Sequence, residues 1–417
     1  MPLAAQPLSV SDMVPVTTSP PATHETVRRR QAFWIVAATF GLFLFAAAAP
    51  SPLYAVYAVK FHFSTISLTA VFAVYAITLL VALLFTGSLS DSVGRRPVIL
   101  AGLAIQLAGM LMFLFASSVE WLFAARITQG IATGVVTSAL SAASVDLQPP
   151  ERPTLASTVN SATPILGLAL GALASAAIVQ YAPDPLHLVY WLMLAGFLVA
   201  AVAIALIPEP AVARRALHLM PRVGVEPAVR PAFVAALPSL IAGWGVGGFY
   251  LSLGPSLALQ LAASSNRILG GVAIAFLAGV GALSIVAVRA WPAGRAMRWG
   301  AVAQATGLAV TVAAVALRAP VLFFVGTAVT GVGFGVAWLG VLRSLVGLAS
   351  ATERGALLAA IFIVAYLAFS LPAVVAGYAV TRVGLHDAAL WYGVAVEILA
   401  LAGVAGTLLV NRSAVSR

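Results

Sequence analysis

The sequence predicts an all-α polytopic membrane protein, with twelve transmembrane helices in two pseudo-symmetric six-helix bundles. Three observations carry that prediction. Of the 417 residues, 62% are hydrophobic, and the mean hydropathy is +1.06. A bilayer is the environment that solvates so much apolar surface. The apolar residues come in continuous runs of about 20, the length a helix needs to cross the hydrocarbon core, and not in the period-two alternation of a membrane barrel. Landmarks of the first half also recur in the second. Glu151-Arg152 is matched by Glu353-Arg354 after 202 residues, Gly130 and Gly134 by Gly331 and Gly335 after 201, and Gly94-Arg95 by Gly294-Arg295 after 200.

Taken in order, residues 1–30 are polar and Pro/Thr-rich and end in Arg28-Arg29-Arg30, which reads as a disordered cytoplasmic tail. The apolar run that follows is too long for a signal-peptide core, so it stays as an anchor helix. Spans fall at roughly 33–59, 68–87, 98–117, 121–143, 154–180, 188–207, 232–258, 268–288, 298–317, 321–343, 356–380 and 389–410. The first six make an N-terminal bundle over 31–207 and the last six a C-terminal bundle over 232–411. Between them, 208–231 opens on Pro208-Glu209-Pro210, holds Arg214, Arg215, Arg222 and Arg230, and reads as a cytoplasmic linker. Residues 412–417 form a short cytoplasmic tail.

Basic residues set the orientation. With the amino terminus inside, 17 Lys and Arg fall on the cytoplasmic side, 4 outside and Arg126 within a span. That bias predicts two cytoplasmic termini. The compact, Arg-dominated chain is expected in a plasma membrane, bacterial in character.

Composition excludes several functions. The net charge of +10 is spread singly and in pairs between spans, so it is a topology signal and not a nucleic-acid face. The chain has no cysteine, and its five histidines lack ligand spacing, so no metal centre is expected. No nucleophile–base pair or phosphate loop is present, so the chain is not read as an enzyme, and no cofactor is expected.

Gly87-x-x-x-Asp91-x-x-Gly94-Arg95-Arg96 joins spans 2 and 3, followed by Pro97 in the first turn of a helix. It resembles the signature loop of the major facilitator superfamily, departing at Ser92, where a basic residue is usual. The resemblance implies a parallel repeat with the substrate site at the midplane between the halves. It also implies that Asp91 contacts the start of span 11 and neighbouring basic side chains, holding a cytoplasmic gate shut. A carboxylate at a helix amino terminus is favoured by about 0.3–1 kcal/mol. A solvated positive-inside hinge would explain the arginines but not Asp91 and both glycines.

Arg126-x-x-Gln129-Gly130-x-x-x-Gly134 resembles a motif linked to proton-coupled members of that family. A charge within a span faces the bundle interior by default, although Arg126 is close enough to the outer end near Glu120 to snorkel. In span 5, Asn160-x-x-Thr163-Pro164-x-x-Gly167-x-x-x-Gly171 is similar to the antiporter motif of the drug-efflux branch, with Thr163 in place of a glycine and Leu168 after Gly167. Pro164 bends the helix, and Gly167 and Gly171 form a small-residue face. Span 1 is interrupted at Pro50-Ser51-Pro52 and span 7 at Gly254-Pro255, and paired interruptions in two repeats point to a transport path. Tyr54, Tyr57, Trp244, Tyr250, Trp338, Tyr366 and Phe369 are candidates to line an aromatic cavity. Glu397 is the acidic residue that lies well inside a span, with a proton-carrying role and a structural role both open.

These residues together lead to an expected function: alternating-access efflux of small lipophilic or drug-like compounds, driven by the proton gradient, with a monomer in the bilayer as the working unit. A facilitator or importer of a sugar or organic acid, or a non-transporting sensor, shares the fold. The acid-poor core suits neutral or anionic substrates, because no buried carboxylate is available to pair a cation.

Overall fold

The computed structural model describes residues 23–210, 220–350 and 352–415. Residues 1–22, Arg214 and Arg215, and the end of the C-terminal tail lie outside the described residues. Two elements reach into stretches expected to be tails. The first helix starts at Thr23, where Glu25 and Arg28-Arg29-Arg30 are good helix formers. Arg29 also donates to the Asp146 carbonyl at 2.7 Å, which ties this turn to the bundle. The last helix runs on to Val415.

Fourteen helices follow one another among the described residues, without a strand. Span 1 is broken into α1 (Thr23–Ala48) and α2 (Tyr54–Phe61). Then come α3 (Thr65–Thr86), the one-turn α4 (Leu89–Val93), α5 (Arg95–Leu114) and α6 (Val119–Leu147). The half closes with α7 (Leu155–Tyr181) and α8 (Pro185–Leu206). In the second half, span 7 is broken into α9 (Arg230–Ser252) and α10 (Gly254–Leu261). It continues with α11 (Ile268–Ala287), α12 (Ala293–Ala316), α13 (Pro320–Leu348) and α14 (Arg354–Val415). The 62 residues of α14 hold spans 11 and 12, which turn on Gly384 at φ 82° and ψ 167°. That left-handed backbone is open to glycine and costly for residues with a Cβ. Among the described residues, eleven helices are long and apolar enough to cross a membrane, and α14 is long enough to do so twice.

Packing repeats as the sequence repeats. A Cβ on Gly130 would fall 2.6 Å from the Tyr75 carbonyl, and one on Gly134 2.5 Å from that of Leu79, so α6 lies directly on α3. Gly331 and Gly335 place α13 on α11 in the same way, against the carbonyls of Leu277 and Gly281. Without a hydrophobic force between helices in lipid, such close backbone approach supplies much of the association. Large apolar side chains left outward, such as Val199, Leu206 and Val321, are 69%, 75% and 77% exposed, which suits a lipid surrounding.

The halves meet along α7 with α11 and along α3 with α14. Away from the Gly87–Pro97 loop the seam is tight. A Cβ on Gly271 would meet Ala176 at 2.5 Å, and one on Gly377 would meet Thr69 at 2.1 Å. The backbone N–H of Arg267 also donates across the seam to Gln180 Oε1 at 2.8 Å.

Gly171 tests this reading. Its added Cβ would sit 2.1 Å from the Phe45 carbonyl, whereas one on Gly279 would rest 3.5 Å from Ala169, an ordinary contact. Gly171→Leu is expected to lower the thermal midpoint of the detergent-solubilised protein by roughly 5 °C or more, and Gly279→Ala to leave it nearly unchanged. Equal midpoints for the two variants would refute the close-approach account.

Candidate functional site

Three clusters hold the residues singled out by sequence. The first is at the Gly87–Pro97 loop. Arg95 donates through Nη1 to Asp91 and to Ser90 Oγ (2.8 Å), and through Nε to Asp146 Oδ2 at 3.1 Å. One guanidinium therefore ties α4 to the end of α6. Glu209, just past α8, accepts from the backbone N–H of Arg95 at 2.7 Å and of Arg96 at 3.1 Å. Its carboxylate thus caps the amino terminus of α5, where the orphan donors and the dipole favour an anion. Arg96 returns the contact by donating to the Ala205 carbonyl of α8. Gly94 has φ +115°, and a Cβ there would meet the Glu209 carboxylate at 3.1 Å. Gly87 is the C-cap of α3, where a Cβ would stand 3.0 Å from the Leu83 carbonyl.

The Asp91 carboxylate pairs with Arg95, one of the neighbouring basic side chains expected of it, and among the described residues no ion pair joins it to the start of span 11. The second-half loop has no such network. Arg289, Arg295, Arg298 and Arg343 make no ion pair among the described residues. Arg343 instead donates to the Arg289 carbonyl at 2.9 Å, and Arg295 lies 4.6 Å from the Trp291 ring.

The second cluster surrounds Arg126, which is fully buried, so it does not snorkel. It donates to Tyr54 Oη at 2.6 Å, to the Ala47 carbonyl at 3.0 Å and to Gln129 Oε1 at 2.6 Å. Gln129 in turn donates to the Ala46 carbonyl at 3.0 Å, and Ser175 Oγ to that of Ala49 at 2.5 Å. Those carbonyls are the orphan acceptors left where α1 stops, so a cation caps a broken helix at its negative end. The rings of Tyr54, Tyr75 and Phe113 stand 5.1–5.9 Å from the guanidinium carbon. No carboxylate takes part. In the second half Tyr250 Oη meets Thr327 Oγ1 at 2.6 Å, repeating the Tyr54–Arg126 pair without the charge. Tyr250 therefore belongs to the core of its own half, stacked 5.9 Å from Phe323, and Tyr57 likewise stacks 5.6 Å from Phe61. Neither joins the midplane cavity expected of them.

The third cluster does sit between the halves. Trp244 lies 5.3 Å from Trp338, 5.2 Å from Tyr366 and 5.7 Å from Phe369. Phe72 of α3 reaches Phe369 at 5.0 Å across the seam. Four of the seven aromatic candidates are thus brought together.

The remaining candidates lie elsewhere. Asn160 Nδ2 donates to the Ser141 carbonyl of α6 at 3.0 Å. Thr163, Gly167 and Gly171 face α1, where the Thr163 methyl would be 3.1 Å from a Cβ on Gly41. Pro164 cannot donate to the Asn160 carbonyl one turn back. Glu397 is half-buried on the last span, with Oε2 buried and without a hydrogen-bond partner. Its neighbour Val396 reaches the Gly245 position at 3.9 Å, and Gly393 abuts Val312 of α12, so this stretch packs away from the aromatic cluster.

Sequence reasoning missed Asp146 and Glu209 as partners of the loop, and Gln106 and Gln304. A further repeat holds the signal for the glutamines: Gly102-x-x-x-Gln106-x-x-Gly109 recurs as Gly300-x-x-x-Gln304-x-x-Gly307, 198 residues on.

Comparison with known proteins fits this architecture. The sequence profile described as Major Facilitator Superfamily matches residues 33–372. Multidrug resistance protein D of Escherichia coli (strain K12) is 46% identical over 66 residues, which is 16% of this chain and 17% of that protein's length. The crystal structure of the human organic anion transporter MFSD10 (TETRAN) superposes with a TM-score of 0.64 at 18% identity, covering 90% of this chain and 99% of the other.

Proposed function

Because the chain belongs to the Major Facilitator Superfamily, we propose that it exports small lipophilic compounds by alternating access, in exchange for protons. The observation that carries this reading is the aromatic cluster of Phe72, Trp244, Trp338, Tyr366 and Phe369, shared by both halves at their seam and free of charge. Flat aromatic faces take apolar ligands of varied shape, and the absence of a carboxylate disfavours cations. The short match to a multidrug resistance protein supports the same substrate class. The plasma membrane, with both termini cytoplasmic, is the setting that the arginine distribution supports.

Proton exchange needs a group that gains and loses a proton within the membrane. Glu397 is our candidate, since it is an acid within a span whose buried Oε2 has no hydrogen-bond partner. The test is accumulation of 2-naphthamide, a neutral compound that a pH gradient alone cannot trap, in proteoliposomes with an acidic lumen. Wild type is expected to accumulate it until an ionophore collapses the gradient. Glu397→Gln is expected to keep binding but lose the response to the gradient. Normal gradient-driven accumulation by Glu397→Gln would remove that residue from the coupling step. Flux indifferent to the gradient in wild type would leave a facilitator.

A further inference from the structure

Behind the aromatic cluster, in the second half, is a small cavity whose lining includes Ser239, Gly243, Trp244, Gln304, Phe334 and Trp338, with no charged residue around it. Gln304 is 1% exposed and Ser239 4%. Both amide atoms of Gln304, Ser239 Oγ and Trp244 Nε1 are buried without a hydrogen-bond partner. A single orphaned polar atom in a core is uncommon and costly, and four around one cavity imply something that satisfies them. Gln304 is held there by construction. Cβ atoms on Gly300 and Gly307 would each fall 2.2 Å from backbone nitrogens of α13, so the two glycines press α12 onto α13. The glutamine between them is within about one side chain's reach of α9, where a Cβ on Gly243 would lie 3.5 Å from Nε2 and 3.6 Å from Oε1.

We propose that Gln304, Trp244 and Ser239 form a polar subsite for a neutral hydrogen-bonding head group of the transported compound, a carboxamide being the best match. Gln304 offers both a donor and an acceptor, the indole N–H a donor, and the hydroxyl either. A carboxamide presents the complementary pair, whereas a carboxylate would meet the Gln304 carbonyl and an ammonium would find no anion. The cavity has room for about one water-sized group, so it takes the polar tip of the head group and the apolar body stays on the rings of Trp244 and Trp338. This inference rests on the transport reading and adds the chemistry of the substrate's polar end.

The test compares 2-naphthamide with 2-isopropenylnaphthalene, which has the same shape and no hydrogen-bonding group, by equilibrium dialysis against the full chain in nanodiscs, with empty nanodiscs subtracted. Wild type is expected to prefer the amide by about tenfold or more. Gln304→Leu and Trp244→Phe should bring the two compounds level while the thermal midpoint holds. Gln106→Leu, equally buried but not part of this lining, should keep the preference. Because the chain has no cysteine, Gly243→Cys puts a single thiol into the cavity. Its reaction with a methanethiosulfonate reagent should be slowed by the amide more than by the hydrocarbon. Equal affinities in wild type, as a cavity filled by water alone would give, overturn the subsite. So does a preference that survives Gln304→Leu, or one lost equally in Gln106→Leu. Gradient-driven flux without amide preference sinks this inference alone, and amide preference without flux sinks the transport reading alone.

Discussion

Arg126→Leu is expected to abolish gradient-driven flux while the protein still folds. The guanidinium holds the break between α1 and α2 shut from one side. It occupies the Ala47 carbonyl and Tyr54 Oη, and it orients Gln129 toward the Ala46 carbonyl. Removing it orphans three buried acceptors, at about 1–3 kcal/mol each. It also removes a buried charge that no carboxylate compensates, which offsets part of that loss. The fold should therefore survive with a modestly lower thermal midpoint, while the broken helix loses the contact that fixes the direction of α2. Arg126→Lys keeps the charge, but one ammonium cannot span a carbonyl, a hydroxyl and an amide at once, so it should restore at most about a tenth of the flux. The pair Tyr250–Thr327 supplies the comparison. It is the neutral counterpart at the second break, and Thr327→Val should lower flux less than Arg126→Leu does. Flux measured beside the thermal midpoint decides the matter. Wild-type flux in Arg126→Leu would reduce this cluster to packing.

Much of this was legible in the chain before folding. Continuous apolar runs and offsets near 200 residues fix the spans and the repeat, because spacing along one helix is a local property. The two broken helices were equally plain, since Pro50-Ser51-Pro52 and Gly254-Pro255 cannot continue a ladder of hydrogen bonds. What stayed hidden was who meets whom. Arg126 stood out as a charge in a span, but its partners are main-chain carbonyls of α1, and a carbonyl has no signature in a sequence. Glu209 read as a boundary because it lies 114 residues from the Arg95 amide that it caps. Asn160 to Gly171 read as an antiporter motif, yet its small residues serve mainly to seat α7 against α1. Tyr54 and Tyr250 hold matching places in the two halves, and each hydroxyl bonds within its own half, to Arg126 and to Thr327.

Neutralising Asp91 and Asp146 together is expected to cost far more transport than the sum of the single changes. Arg95 is shared between the two carboxylates, so Asp91→Asn leaves the pair with Asp146, and Asp146→Asn leaves the pair with Asp91. Both carboxylates are about one-third exposed, at 35% and 31%, where a single ion pair contributes little, about 0–1 kcal/mol. The double variant removes both ion pairs of Arg95 and leaves Arg95 and Arg96 on one half facing the acid-free Arg289–Arg298 loop of the other. Alternating access requires those two ends to approach when the molecule opens on the far side. Like charges then oppose that approach. Each single variant should keep most of its flux, and the double should lose about tenfold or more, with partial recovery in high salt as screening shortens the reach of the arginines. Spin labels on cysteines placed at the two loop ends of this cysteine-free chain should report a smaller closed population in the double variant. Additive losses that ignore salt would mean that the loop is a hinge with a fixed structure and that its charges do not gate the protein.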